Sequence, residues 1–301
     1  MSVASSTIIL ASSPRDYITL LKPGVMLLVV FTGAVGMWLA PGISSVHPLL
    51  QAVAIFAIAL GSGGGAAINM WFDRDIDAMM ARTQNRPIPA GRIAADDALV
   101  MGLLLSITSV ALLGLALNWV AAAWLAFAIF FYAVFYTMLL KRRTSQNIVI
   151  GGAAGAFPAV IGWAAVTGDT AAAMPWLLFA IVFLWTPPHF WALALYRSND
   201  YKTARIPMLP VVAGVAATKR HIVAYSVCLF AATIAPLWLG AGIFYGVAAT
   251  LLSGYFVMLS LRVYRSDATR DAMRLFGFSI LYLFVLFAAL LVDRVFIAGA
   301  F

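Results

Sequence analysis

Residues 69–77 read Asn69-Met70-Trp71-Phe72-Asp73-Arg74-Asp75-Ile76-Asp77. A long apolar run ends here and a polar loop begins, so this junction marks where a membrane would stop. Asn69, Asp73 and Asp77 recur at i, i+4 and i+8. Each step of four advances only ~40° around a helix, so the three side chains share one face. Three oxygen-bearing groups in line at a membrane surface suit a hard cation. Mg2+ takes one or two carboxylates and fills its other positions with water and substrate phosphates. A merely solvated helix end is the plainer alternative. Acids that serve a helix dipole belong at its N-terminus, however, and these come late.

Outward from this junction the chain is uniformly apolar. Of its 301 residues 64% are hydrophobic and 10% charged, where soluble proteins carry roughly 25% charged residues. This is the composition of an integral membrane protein. The apolar runs are continuous rather than alternating, which predicts helices and not a barrel. A spanning helix needs ~20 mainly apolar residues. Stretches of that kind fall near 24–40, 48–70, 97–117, 119–139, 147–167, 173–194, 221–240, 242–262 and 276–297. The expectation is an all-α bundle of nine transmembrane helices, one domain over 17–301 behind a short disordered leader, 1–16. The leader lacks the basic start of a signal peptide and is poor in Arg, which favours a bacterial inner membrane. All 11 acids are Asp, and Cys228 is the one cysteine. Internal disulfides and Cys-based metal or redox motifs are therefore excluded.

Charge sets the expected orientation. Of 19 basic residues all but Arg294 fall before the first segment or in alternate loops that lie on one side. By the positive-inside rule that side is cytoplasmic, with the N-terminus inside and the C-terminus periplasmic. The +8 net charge then reflects orientation and contact with anionic lipid, and nucleic acid is an unneeded partner. The cytoplasmic loops are the long ones, so a site opening to the cytoplasm is expected.

Three blocks on that side carry chemistry. Arg82 and Arg86 follow the acids closely; acids beside arginines suit a metal diphosphate, with the guanidiniums meeting the remaining phosphate oxygens. Surface pairing is the alternative for Arg86. Lys141 and Arg142 close the fourth segment on the same side, as diphosphate ligands or as headgroup anchors. The third block, Trp185-Thr186-Pro187-Pro188-His189-Phe190-Trp191 to Tyr196, Asp200 and Lys202, repeats the pattern of an apolar segment ending in polar groups. An ionisable group at membrane depth is a functional candidate. His189 reads equally as an iron ligand or as a hydrogen-bonding partner of a neighbouring helix. Gly61 to Gly65 reads as close helix packing. Gly151, Gly152, Gly155, Pro158 and Gly162 predict a thin, kinked fifth segment.

With its trailing Arg82 and Arg86-Pro87, the Asn69-x3-Asp73-x3-Asp77 face resembles the intramembrane prenyltransferases of the UbiA superfamily. Leu21-Lys22-Pro23, Tyr136-Thr137 to Lys141-Arg142, Pro187-Pro188-His189-Phe190-Trp191 and Ile206-Pro207-Met208-Leu209-Pro210 look like its haem-farnesylating branch. The resemblance runs from about Tyr17 to the C-terminus. It implies transfer of the farnesyl group of farnesyl diphosphate to a vinyl group of haem B, with addition of water, giving haem O. It further implies Mg2+ on Asn69, Asp73 and Asp77, and diphosphate contacts from Arg82, Arg86, Lys141, Arg142 and Lys202. The implied prenyl and haem pocket comprises Phe72, Tyr136, Asn147, Trp191 and Tyr196, with Asp200 and His189 as further catalytic groups and a haem A synthase as acceptor of the product. Quinone-type relatives carry a second Asp cluster; two of its positions fall near His189 and Tyr196 here, so only Asp200 stays acidic. That departure puts a second Mg2+ in doubt and disfavours prenyl transfer to an aromatic quinone precursor. The rivals from another class are a transporter and a haem-handling protein without catalysis. A transporter would place its charges at the midplane, and a haem carrier has no need of the Asn-Asp-Asp face.

Overall fold

The computed structural model describes residues 12–294. The first expected segment is two helices. α1 (Pro14–Leu20) and α2 (Pro23–Leu39) meet at 52°. Lys22, between them, takes a left-handed backbone with φ 51°, and Pro23 opens α2 where a missing N–H costs nothing. The N-terminus of α1 is closed by a capping box, with Ser13 N and Oγ donating to Asp16 Oδ2 at 3.0 and 2.8 Å. The leader boundary expected at residue 16 therefore falls inside a helix. The Ser-Pro-x-Asp start signal, a Ser cap with proline in the first turn, explains the difference. Residues 1–11 of that leader lie outside the described residues.

The chain continues through α3 (Pro48–Phe72), α4 (Arg74–Met79), α5 (Ala95–Ala116) and α6 (Trp119–Phe130), which runs on as a π-helix over Phe131–Leu140. Then come α7 (Asn147–Gly151), α8 (Ala153–Thr167), α9 (Ala173–Tyr196), α10 (Ser198–Thr203), α11 (Leu209–Val212), α12 (Gly214–Ile234), α13 (Ile243–Arg265) and α14 (Thr269–Asp293). Among the described residues there is no strand. Eight helical stretches are long and apolar enough to cross a membrane, and α1 with α2 makes a ninth when counted as one bent span. These match the nine expected segments. The end of the last, expected to reach residue 297, lies outside the described residues. In the fifth segment the break falls at Gly152, between α7 and α8, while Pro158 sits inside α8.

Small residues let the helices meet at backbone distance. A Cβ on Gly162 of α8 would lie 1.9 Å from the Gly33 carbonyl of α2, and one on Gly36 would lie 2.1 Å from that of Ala159. A Cβ on Gly64 of α3 would meet the Gly102 carbonyl of α5 at 2.8 Å. In lipid, where burying apolar surface drives little association, such packing and interhelical hydrogen bonds hold a bundle. The second half supplies those bonds. Ser226 of α12 meets Ser260 of α13 at 2.8 Å, and Tyr282 of α14 meets Thr233 and Ser253 at 2.8 and 3.0 Å. The main core lies among α2, α8, α9, α12, α13 and α14, and a second lies among α2, α3, α5, α6 and α8. The polar end of α3 packs in a smaller core, where Ala67 and Met70 meet Leu20, Ile88, Ile93 and Ala98.

Candidate active site

Asn69 lies in the last turn of α3, Asp73 between α3 and α4, and Asp77 in α4. The helix breaks at Asp73, yet its bonding register survives. Asp73 N donates to Asn69 O at 2.9 Å and Asp77 N to Asp73 O at 2.8 Å. The three side chains accordingly keep the common face that their spacing predicts. All three are buried, Asp73 and Asp77 to within 1% of full burial. Asn69 Nδ2 donates to Asp73 Oδ2 at 2.9 Å and to Thr137 Oγ1 at 3.0 Å.

Buried carboxylates need cations. Lys141 Nζ pairs with Asp73 and Arg86 Nη1 with Asp77 at 2.6 Å. Arg142 grips Asp75 with both Nη atoms at 2.7 Å, while its Nη2 stands 3.6 Å from Asp73. That fork holds the Asp75 carboxyl below the usual carboxylate range and the guanidinium correspondingly higher. The Phe72 ring lies 4.9 Å from the Arg142 guanidinium. Arg82 donates to Tyr201 OH at 3.1 Å and stands over its ring. Burial pushes the Tyr201 phenol up. Lys141, Arg86 and Arg142 thus pair with Asp73, Asp75 and Asp77, and Lys22, on Asn69, adds a fourth cation to these three acids. The excess of positive charge suits a diphosphate.

Three site groups escaped the sequence reading. Lys22 donates to Asn69 Oδ1 from the kink between α1 and α2, and stands 3.4 Å from Tyr132 OH. Thr137 receives the Asn69 amide and donates to Tyr132 O at 2.8 Å. Tyr132 stacks on Tyr136 at 6.0 Å. The signals available were the basic residue before Pro23 and the hydroxyl in Tyr136-Thr137, both inside blocks that carry the resemblance. The π-helix brings these groups into line: Lys141 N bonds Tyr136 O, five residues back. A π-helical stretch of this kind re-aims a helix face.

Of the expected pocket residues, Phe72, Tyr136 and Asn147 join this cluster. Asn147 is fully buried, donates to Lys141 O at 3.1 Å, and leaves its Oδ1 without a partner. Trp191 and Tyr196 do not join it. Trp191 turns to the α12 side of α9, edge-on to His221 and Tyr225, and Tyr196 is exposed with Arg197 over its ring. One continuous helix cannot aim Trp185, His189 and Trp191 the same way, since residues two apart point about 160° away from one another. His189 turns toward α14. Its Nδ1 lies 2.6 Å from Ser279 Oγ, and its ring is stacked between Trp185 and Phe276 at 4.3 and 4.6 Å. The Ser279 hydroxyl already donates to Phe276 O at 2.6 Å. The imidazole must then donate through Nδ1, which leaves Nε2 with a free lone pair. Asp200 lies 3.9 Å from Arg197, and its buried Oδ2 has no hydrogen bond; Lys202 is exposed.

Among the described residues no three His, Cys, Asp or Glu side chains converge as a metal cage. The set at hand is two buried carboxylates and an amide, with Asp73 Oδ1 buried and without a hydrogen bond. An all-oxygen donor set with one or two carboxylates is what Mg2+ takes when substrate phosphates complete its shell, so these residues fit that ion.

The sequence matches the UbiA prenyltransferase family over residues 29–291. This chain belongs to that family. Among its relatives, protoheme IX farnesyltransferase of Erythrobacter litoralis is 53% identical over 98% of this chain and 97% of its own length. That of Granulibacter bethesdensis is 57% identical over 94% and 92%. The UbiA fold recurs in a solved digeranylgeranylglyceryl phosphate synthase, with TM-score 0.77 at 18% identity over 93% of this chain and 98% of that one. A UbiA homologue from Archaeoglobus fulgidus, solved with GPP and Mg2+, aligns with TM-score 0.63 at 16% identity over 91% and 99%. The junction at residues 69–77 thus sits at the polar end of a UbiA-type bundle, and the chain is a prenyltransferase.

Proposed function

We propose that this prenyltransferase joins farnesyl diphosphate to haem B to make haem O. The observation that carries this reading is the near-full-length identity to relatives named protoheme IX farnesyltransferase, on a chain whose buried Asn69, Asp73 and Asp77 face is ringed by cations. The C–O bond between the farnesyl carbon and the diphosphate breaks, and its electron pair leaves with the diphosphate. Arg82, Arg86, Lys141 and Arg142 stabilise the charge that grows there, which lowers the barrier because it acts where charge develops. Mg2+, held by Asn69, Asp73 and Asp77, would add Lewis-acid stabilisation of the same leaving group. The allylic cation is flanked by Phe72, Tyr132 and Tyr136, whose ring faces favour positive charge. The haem vinyl group attacks it and forms the new C–C bond. Water then adds to the cation left next to the macrocycle and loses a proton. Haem B, farnesyl diphosphate and water balance to haem O and diphosphate.

His189 serves the acceptor. Its Nδ1 is committed to Ser279, its ring plane is fixed by Trp185 and Phe276, and Nε2 remains for the haem iron. A fixed second nitrogen is how proteins orient a ligating imidazole. Asp200, with its unsatisfied oxygen, is a second polar group for the diphosphate side, and Lys202 lies beyond it. The basic loops favour a mouth at the cytoplasmic face of a bacterial inner membrane, and a haem A synthase fits as the consumer of product. The test is conversion of haem B, farnesyl diphosphate and Mg2+ to haem O by membranes carrying this chain, followed by chromatography and mass. Product that a chelator abolishes is the expected result; a prenylated aromatic acid in place of prenylated haem would overturn the acceptor.

A further inference from the structure

Away from the site, on the far flank of α14, lies a groove of about 320 Å3 lined by Tyr255, Leu259 and Arg262 of α13 and by Arg274 and Phe278 of α14. Tyr255, Leu259 and Arg262 recur at i, i+4 and i+7, and Arg274 and Phe278 at i and i+4, so each set lies on one face of its helix. The floor is apolar: Tyr255 meets Phe278 edge-on at 4.7 Å, and Leu259 is buried. The rim is cationic. Arg262 lies in the last turn of α13 and Arg274 in the second turn of α14, so both guanidiniums stand at the same end of the hairpin.

These charges are not spent on the protein. Arg262 pairs with no acid among the described residues, and Arg274 reaches only Asp271, at 3.8 Å. Two cations over an apolar slot, both on the basic side of the bundle, make an amphiphile site: an anion between the guanidiniums and a chain below. Tyr255 lies seven residues below Arg262, ~10 Å along the helix, enough for the start of an acyl chain. The volume is at the small end of ligand pockets, ~300–1,000 Å3, and suits a headgroup and proximal chain. Guanidinium forks match phosphate oxygens, and basic pockets between helices on the cytoplasmic side take anionic headgroups. We propose that the α13–α14 groove binds the phosphate headgroup of an anionic phospholipid.

The test uses the purified full-length protein, delipidated in detergent and mixed with equal phosphatidylglycerol and phosphatidylcholine, and reads bound lipid by native mass spectrometry. Arg262→Gln with Arg274→Gln is compared with Arg265→Gln with Arg270→Gln, two exposed arginines of the same hairpin outside the groove. The groove variant should retain roughly tenfold less phosphatidylglycerol, and the control variant should retain as much as the unaltered protein. Equal losses in both variants would overturn the proposal in favour of diffuse attraction. Equal retention of the two lipids by the unaltered protein would overturn it as well. Farnesyl diphosphate is added as a competitor at the concentration of the lipid. Displacement by it would reassign the groove to the prenyl donor, and retained phosphatidylglycerol would keep it with the lipid.

Discussion

Asn69 is the most committed side chain of the site. Its oxygen accepts from Lys22, and its nitrogen donates to both Asp73 and Thr137. An amide held at both ends cannot flip, so the oxygen that faces Lys22 is the one that stays in place when substrate charge arrives. His189 is held in the same manner: the donor shortage at Ser279 fixes its tautomer, and two stacked rings fix its plane. His189→Ala should therefore reduce haem B binding by roughly tenfold or more, and should also lower the thermal midpoint in detergent, because it empties the space between Trp185 and Phe276. Titration of haem B followed by its absorption band checks this. An unaltered band and unaltered turnover would return His189 to a purely structural role.

At the scale of elements, the closest crossing is α2 on α8. Gly162→Ala puts a methyl against the Gly33 carbonyl, at a backbone distance that no rotamer relieves. Overpacking of this kind typically costs ~1–3 kcal/mol, and the thermal midpoint in detergent should fall accordingly; an unchanged midpoint would show that the helices separate freely there. The same elements show what was legible beforehand. The spans could be read because each is a continuous apolar run, and the Asn-Asp-Asp face because its period is local. The kink at Lys22 could not be read. Its purpose is a contact with Asn69, 47 residues away, and no local pattern reports that. The π-helix was hidden for the same reason, since its hydrogen-bond register leaves no mark in hydropathy. Without that register, Thr137 and Lys141 could not be placed on one face with certainty. The resemblance implies a pocket that includes Trp191 and Tyr196, yet along α9 neighbouring positions send their side chains to different neighbours, and these two turn away from the cluster.

For the whole molecule the central asymmetry is charge. All the acids and bases of the site, and nearly all other bases, lie on one side of the bundle, while the turns near Gly42, Asn118, Gly168 and Gly240 are almost free of charge. Under the proposed orientation this charged side faces the cytoplasm, and the site opens there. Single cysteines placed at Ser145 and at Ala171, in a variant with Cys228→Ala, test this orientation. In intact cells a membrane-impermeant thiol reagent should reach position 171 and spare 145. Labelling of 145 instead would invert the bundle and move the site to the periplasm.

The account stands on Asp73, the buried carboxylate that Lys141 neutralises and whose second oxygen has no hydrogen bond. Asp73→Asn keeps the shape and removes the charge. The decisive measurement is haem O formation by membranes carrying this variant beside the unaltered protein, at matched levels of inserted protein. The account predicts a loss of at least ~100-fold, the scale of removing a group that stabilises developing charge, with insertion and helical content intact. Near-normal turnover by Asp73→Asn would contradict the assignment of this face to the diphosphate and its metal.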